Sequence, residues 1–267
     1  MNDREQLLLE QIGRAIAANQ LLLPSLPEVA VRVREMTADP DCDQRRLEQE
    51  INKDTALAGR LIKVANSSVM QRGVPLRSVA QAIARLGLRL VCSLVTQLAI
   101  LQMLQRRGGG PWLRDFVETA QAISALCREL AQPMPHLDSE QAALAGLLHD
   151  IGRLPLREFL AQQPAFANDA TARRHMEDAL HPTVGATLLR QWGFAEELIS
   201  AVAEHEQVER DPAAAADYAD LVIAANLSHY GVESGPYAHC RDLRIPALEK
   251  CRVELAAGLR GAGTPPP

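Results

Sequence analysis

Four residues carry the chemistry this sequence offers: His149 and Asp150, adjacent in Leu147-Leu148-His149-Asp150-Ile151-Gly152, and His181 and His205, 32 and 56 positions beyond His149. Neutral imidazole suits a transition metal and a carboxylate can bridge two ions, so the set is a candidate divalent-metal site. Adjacent ligands reach one centre most easily at a helix terminus, where neighbours leave the usual angular spacing, and Gly152 is placed to end such a helix. Glu204 and Glu206 flank His205 and add carboxylates within reach. Each residue also has a plain structural reading. A histidine near a helix C-terminus is favoured by the macrodipole, His181 before Pro182 reads as a helix cap, and His205 reads as a solvated helix end. His136, His175, His229 and His239 stand in charged or loop-like surroundings and are assigned no role.

The elements that must position these residues are helices. The chain has 267 residues, 47% hydrophobic but only 3% aromatic, and the apolar half is mostly Leu, Ala, Val and Ile, a composition suited to interdigitating helices. In the N-terminal part, Val29, Val33 and Met36 recur at helical spacing after Pro27 and stop at Asp39-Pro40. Leu47 and Ile51, then Leu57, Leu61, Ile62 and Val64 beyond Asp54, give two further stripes. Val79, Ile83, Leu86, Leu90, Leu94, Leu98, Leu101 and Leu104 form the longest apolar face, predicted as one long buried helix. In the C-terminal part, Phe116 to Leu130 reads as a helix. Asp138 with Gln141 resembles a capping box for the helix carrying Leu144, Leu147 and Leu148, with His149 and Asp150 in its last turn. His181 and Pro182 are predicted as the N-cap and first position of a helix that stops at Gly193, and Glu196 to Glu206 and Ala213 to Tyr230 complete the set.

The organisation expected is an N-terminal helix or arm over 1–20, an N-terminal helical subdomain over 21–107, a glycine linker over 108–111, a larger helical subdomain over 112–260 and a disordered tail over 261–267. The formal net charge of -5 provides no diffuse positive field, so no nucleic-acid partner is expected. The stretch Leu86 to Leu104 is interrupted by Arg89, Gln97 and Gln102, and no membrane association is expected from it. Five cysteines, none paired as C-x-x-C, point to a reduced, cytoplasmic compartment. There is no glycine-rich phosphate loop before a helix and no nucleophile elbow.

An ordered set of short tracts resembles the HDOD family, the HD-related output domain of bacterial signal transduction. The tracts are Leu26-Pro27-Glu28-Val29, Asp39-Pro40-Asp41, Ile51 to Leu61 around Asp54, Ala65-Asn66-Ser67, Ile83 with Leu86-Gly87, Gly146 to Gly152, and His181-Pro182 with Gly185. Thr55 departs from the family, which usually has Pro after that Asp. The resemblance implies an all-α fold, an N-terminal helical bundle and a C-terminal HD-like helical domain. It also implies that His149, Asp150, His181 and His205 descend from a metal-dependent phosphohydrolase site that is now degraded. Asp115 falls where catalytic relatives place a first His, and Asn226 where they place a late Asp. The chain also resembles HD-GYP cyclic-dinucleotide hydrolases in its histidines, but Gln207-Val208-Glu209-Arg210-Asp211-Pro212 follows His205 where Gly-Tyr-Pro should stand.

These readings converge on a stand-alone signalling module that works through a signalling protein partner, with no catalytic residues assigned and Asn66 to Leu76 as the candidate contact segment, where Asn66 and Ser67 equally suit satisfying local backbone groups. No cofactor is expected beyond a divalent ion (Mn, Fe, Zn or Mg) at the remnant site. Two alternatives stay open. One is a metal-dependent phosphohydrolase in which Asp150 bridges or orients metal-bound water, helped by Asp115 or Glu206; the other is a nucleotide or metal sensor.

Overall fold

The computed structural model describes residues 3–17, 24–39, 42–67, 70, 73–107, 110–166, 168–211, 215–231 and 245–261, and among them all regular structure is helical. The fold is all-α, as expected, and it divides into two compact units, Leu26–Glu118 and Met1–Ser25 with Thr119–Pro267.

In the first unit, polar side chains start the helices by accepting otherwise unpaired backbone N–H groups. Helix α2 (Glu28–Ala38) follows Pro27. Asp43 caps α3 (Gln44–Asn52) by accepting from the Arg46 N–H, and Asp54 caps α4 (Thr55–Ala65) by accepting from Ala56 and Leu57. Thr55 is thus the first helical residue, a position that tolerates Pro, so the departure from the family pattern costs the cap nothing. Ser78 caps α5 (Val79–Leu86). The apolar face from Val79 to Leu104 is not one helix, because Gly87 adopts φ 83° and separates α5 from α6 (Leu88–Arg106). The periodicity survives because both helices bury that face in one core: Val79, Ala82 and Ile83 from α5 join Val91, Leu94 and Val95 from α6, with Val33, Leu47, Ile51, Leu57 and Leu61. Helix α6 has the length and composition of a membrane span, yet more than half of it is buried inside the protein, as a core helix would be.

Asn66, whose type suits a partner contact or a local backbone role, takes the local role and anchors the chain. Its side-chain amide donates to the Leu76 carbonyl at 2.8 Å, and its oxygen accepts from the Leu76 N–H at 2.7 Å. The rest of that candidate segment lies partly outside the described residues.

The second unit carries the histidines. The expected N-terminal helix or arm is helix α1 (Asp3–Ala17). Leu8, Ile12 and Ala15 pack with Leu156, Leu160, Phe166, Met176, Leu180 and Val184, residues of α9 (Arg153–Gln162), α10 (Ala170–Gln191) and the turn between them. The glycine run does not mark the division between units. Pro111 opens α7 (Pro111–Ala131), and the division falls inside that helix, between Glu118 and Thr119; Gly108 and Gly109 lie outside the described residues. Asp138 accepts from Glu140 and Gln141 N–H to start α8 (Ser139–Leu148), whose residues from Ala142 onward are all buried. Next come α11 (Glu196–Glu204), α12 (Tyr218–Tyr230) and α13 (Pro246–Gly261). Helix α10 packs on α9 and α11, and α8 packs on α11 and α12, which gathers the ends of α8 and α11 beside the middle of α10. Of the expected tail, residues 262–267 lie outside the described residues.

The expectation that His181-Pro182 begins a helix is corrected: α10 runs unbroken from Ala170 to Gln191 with Pro182 inside it. Proline here leaves the Asp178 carbonyl without its intrahelical donor, a cost that local propensity would avoid. Packing overrides it, because Leu180, His181, Pro182, Val184, Gly185 and Ala186 are all buried.

Candidate metal centre

Each candidate ligand owes its direction to a backbone position. His149 is the C-cap of α8, Asp150 lies in the turn before α9, His181 sits mid-way along α10, and His205 is the C-cap of α11 with Glu206 following it. The α8–α9 turn reaches α10 only because Gly152 and Gly185 have no side chains. A Cβ on Gly152 would collide with the His181 carbonyl oxygen and the Gly185 backbone, and one on Gly185 would lie 2.7 Å from Val202 Cγ1. Glycine after His149-Asp150-Ile151 therefore sets the distance between Asp150 and His181.

The structure brings all four sequence-predicted residues, His149, Asp150, His181 and His205, together. Asp150 Oδ1 lies 2.9 Å from His181 Nε2 and 3.6 Å from His205 Nε2, and these two nitrogens are 3.1 Å apart. Glu206 Oε1 is 3.7 Å from each of the two nitrogens. His149 Nε2 approaches the other carboxylate oxygen, Asp150 Oδ2, at 3.6 Å, and its ring meets that of His205 edge-on. The three imidazoles are buried, Asp150 is 17% exposed and Glu206 36%, so the cluster is closed behind and reachable from the carboxylate side.

Tautomers follow from the outer hydrogen bonds. His149 Nδ1 faces the Gly146 carbonyl at 2.8 Å, His181 Nδ1 the Glu177 carbonyl at 2.9 Å, and His205 Nδ1 the Val202 carbonyl at 2.8 Å. A carbonyl only accepts, so Nδ1–H donates in all three rings and the neutral rings present lone pairs at Nε2. Asp150 Oδ1 is buried and has no hydrogen-bond partner, and His181 Nε2, 2.9 Å away, carries a lone pair in the Nδ1–H tautomer. Acceptors facing acceptors at 2.9 to 3.7 Å repel unless a cation, proton or metal, lies among them. A tetrahedral ion with bonds of about 2.1 Å has ligand atoms about 3.4 Å apart, which these separations bracket. Asp150, His181, His205 and Glu206 therefore fit a divalent metal, and their ligand atoms all lie within 4.8 Å of one another.

The electrostatics agree. Burial pushes His149 down to about 4 against the pull of Asp150, so it is a neutral donor at pH 7. Burial alone would raise the Asp150 carboxyl, but His149 and His181 in their protonated forms, with the permanent charge of Arg153, outweigh it and hold the group well below the usual carboxylate range. Arg153 pairs with this carboxylate through Nε at 2.9 Å from Oδ2 and with Asp178 through Nη1 at 2.6 Å.

Two residues matched to catalytic positions by resemblance behave differently. Asp115 is exposed on α7 and is not among the clustered donors. Asn226 is buried on α12, and its side-chain oxygen has no hydrogen-bond partner, but it offers an amide where a carboxylate would carry charge. Sequence reasoning missed Arg153 and the ion-pair network beyond His205. There Arg210 pairs with Glu204 at 2.7 Å, Asp217 at 2.5 Å and Asp220 at 3.0 Å, and Lys250 pairs with the fully buried Asp220 at 3.0 Å. Asp217 and Asp220 form a capping box at the start of α12, and that three-residue spacing was the readable signal.

Comparisons with known proteins agree with this fold. A crystal structure of a Shewanella amazonensis protein to which metal-dependent phosphohydrolase activity has been ascribed matches with TM-score 0.75 and 26% identity, over 96% of this chain and 99% of that one. An HDOD domain protein of unknown function from Geobacter sulfurreducens matches with TM-score 0.67 and 21% identity, over 94% of each chain. An uncharacterized protein of Treponema pallidum is 22% identical over 218 residues, and the matched region covers 77% of this chain but 42% of that protein. The HDOD domain matches residues 23–208, which contain every candidate ligand, and the chain belongs to the HDOD family.

Proposed function

We propose that the chain is a signal-transduction module of the HDOD type whose HD-like unit holds a divalent cation as a structural or regulatory handle, without turnover. The observation that carries this reading is the convergence of His181 Nε2, His205 Nε2 and Asp150 Oδ1, each imidazole fixed by a backbone carbonyl on its far nitrogen. Such outer hydrogen bonds orient metal-ligating histidines and raise their basicity. A bound ion would supply charge neutralisation for these facing lone pairs and, at an open position, a polarised water. The chain's own residues do the rest: the buried imidazoles exclude water from the rear of the site, and Glu206 closes its solvent side. The missing late carboxylate, Asn226, argues against efficient catalysis. The output is contact with a signalling protein partner in the cytoplasm, with no nucleic acid or membrane involved.

A metal-dependent phosphohydrolase is the second reading, favoured by the partly exposed Asp150 and Glu206 and by the activity ascribed to the Shewanella amazonensis structure. The deciding experiment is a screen of phosphomonoesters, phosphodiesters and nucleotides with the manganese-loaded chain, beside His181→Ala. Retained metal with no turnover is the expected result. Turnover that disappears on chelation and in the variant would establish the enzyme instead.

A further inference from the structure

The two oxygens of Asp150 face different company. Oδ1 looks toward His181, His205 and Glu206, three further donors. Oδ2 looks toward one imidazole, His149 at 3.6 Å, and one permanent cation, the Arg153 guanidinium at 2.9 Å. His149 stands outside the group of four whose ligand atoms share one sphere. A protein zinc site draws on at least three protein ligands. The Oδ2 side offers the carboxylate oxygen and one imidazole, with the guanidinium already supplying positive charge against Oδ2. That guanidinium is anchored from its other end by Asp178, so it cannot leave without breaking a second ion pair. Like charges near 3 Å from a shared carboxylate oxygen repel strongly in a buried setting.

We infer that the site takes one ion, held by Asp150 Oδ1, His181, His205 and Glu206, with His149 outside the coordination shell and Arg153 standing where a second ion would bridge. This rests on the metal reading above and sharpens it: a single ion on this side cannot clamp both the attacking and the leaving oxygen of a phosphoester, as paired ions do. His149 then serves as a neutral wall against the His205 ring and not as a ligand, although His149 is the histidine that the sequence advertises most clearly.

The test counts ions on the full chain. Metal-free protein is titrated with manganese, cobalt or zinc by calorimetry, and bound metal is counted by mass spectrometry after gel filtration. Wild type is expected to bind one ion per chain. His149→Ala and His149→Gln, each checked for native helicity and cooperative melting, keep one ion with affinity within tenfold of wild type; His181→Ala and His205→Ala lose it. Two ions in wild type, or loss of the ion in either folded His149 variant, overturns the one-ion assignment and leaves the metal reading standing. No ion in wild type overturns the metal reading itself.

Discussion

The Nε2 atoms of His181 and His205 lie 3.1 Å apart, with both rings donating Nδ1–H to helix carbonyls of α10 and α11. Without a cation between them, two lone pairs face each other in a buried site. Binding energy that relieves this adds to folding energy, because the unfolded chain holds no such site. Manganese or zinc at about 100 times its dissociation constant should stabilise wild type by about 2.7 kcal/mol. Thermal melting with metal and then with chelator is the check, and His181→Ala should show no difference between the two conditions.

Gly152 is the tightest joint around the site. Its missing side chain leaves room for the His181 carbonyl and the Gly185 backbone, neither of which can swing aside as a flexible side chain could. Gly152→Ala should therefore cost about 3 kcal/mol or more, at the upper end of overpacking penalties. Urea denaturation measures it, and Gly13→Ala, at a position where a Cβ meets nothing, is the control expected to be neutral or better.

His149 should make the chelator-stripped protein acid-sensitive. Its imidazole titrates at about 4 when folded, against an ordinary 6.5. Between these values the unfolded chain binds a proton that the folded chain refuses. Stability should therefore fall by about 3 kcal/mol as the pH drops from 6.5 to 4, then level off with respect to this group. Denaturation midpoints across that range should fall less steeply in His149→Gln, and an identical slope in the variant would remove His149 as the cause.

Asn66 should matter for stability. Both of its side-chain hydrogen bonds go to the backbone of Leu76, a residue that is itself buried, so Asn66→Ala leaves a backbone donor and acceptor unpaired. The expected loss is about 1 to 3 kcal/mol. Asn66→Asp, which keeps the acceptor for the Leu76 N–H and loses the donor, should fall between; equal melting temperatures for all three proteins would contradict the anchor role.

Helix identity was legible where a polar residue preceded an apolar stripe, as at Asp54 and Asp138, and the Ser78 cap of α5 went unread. Two boundaries were not legible. Gly87 breaks the longest stripe through a positive φ that leaves the hydrophobic period intact, so the pattern alone cannot show the break. Pro182 fails to start a helix because burial on either side of it outweighs its local cost. His149, Asp150 and His205 were legible from residue type and from positions at helix ends, whereas His181, read as a cap, was legible from residue type alone and lies mid-way along α10. Arg153 was not, because a lone arginine three residues after Asp150 acquires its meaning only when the α8–α9 turn places its Nε beside Oδ2. The placement of α1 beside α9 and α10 was equally invisible, since Leu8, Ile12 and Ala15 specify an amphipathic face but not its partner.

The central claim is that Asp150, His181, His205 and Glu206 form a centre for a divalent ion. The most direct measurement is metal content per chain by mass spectrometry, in wild type and His205→Ala, both incubated with manganese, iron or zinc and freed of loosely bound metal. One ion per wild-type chain and none in the variant is the predicted result. A wild-type chain that retains no stoichiometric metal from any of the three, while folded, would contradict the account.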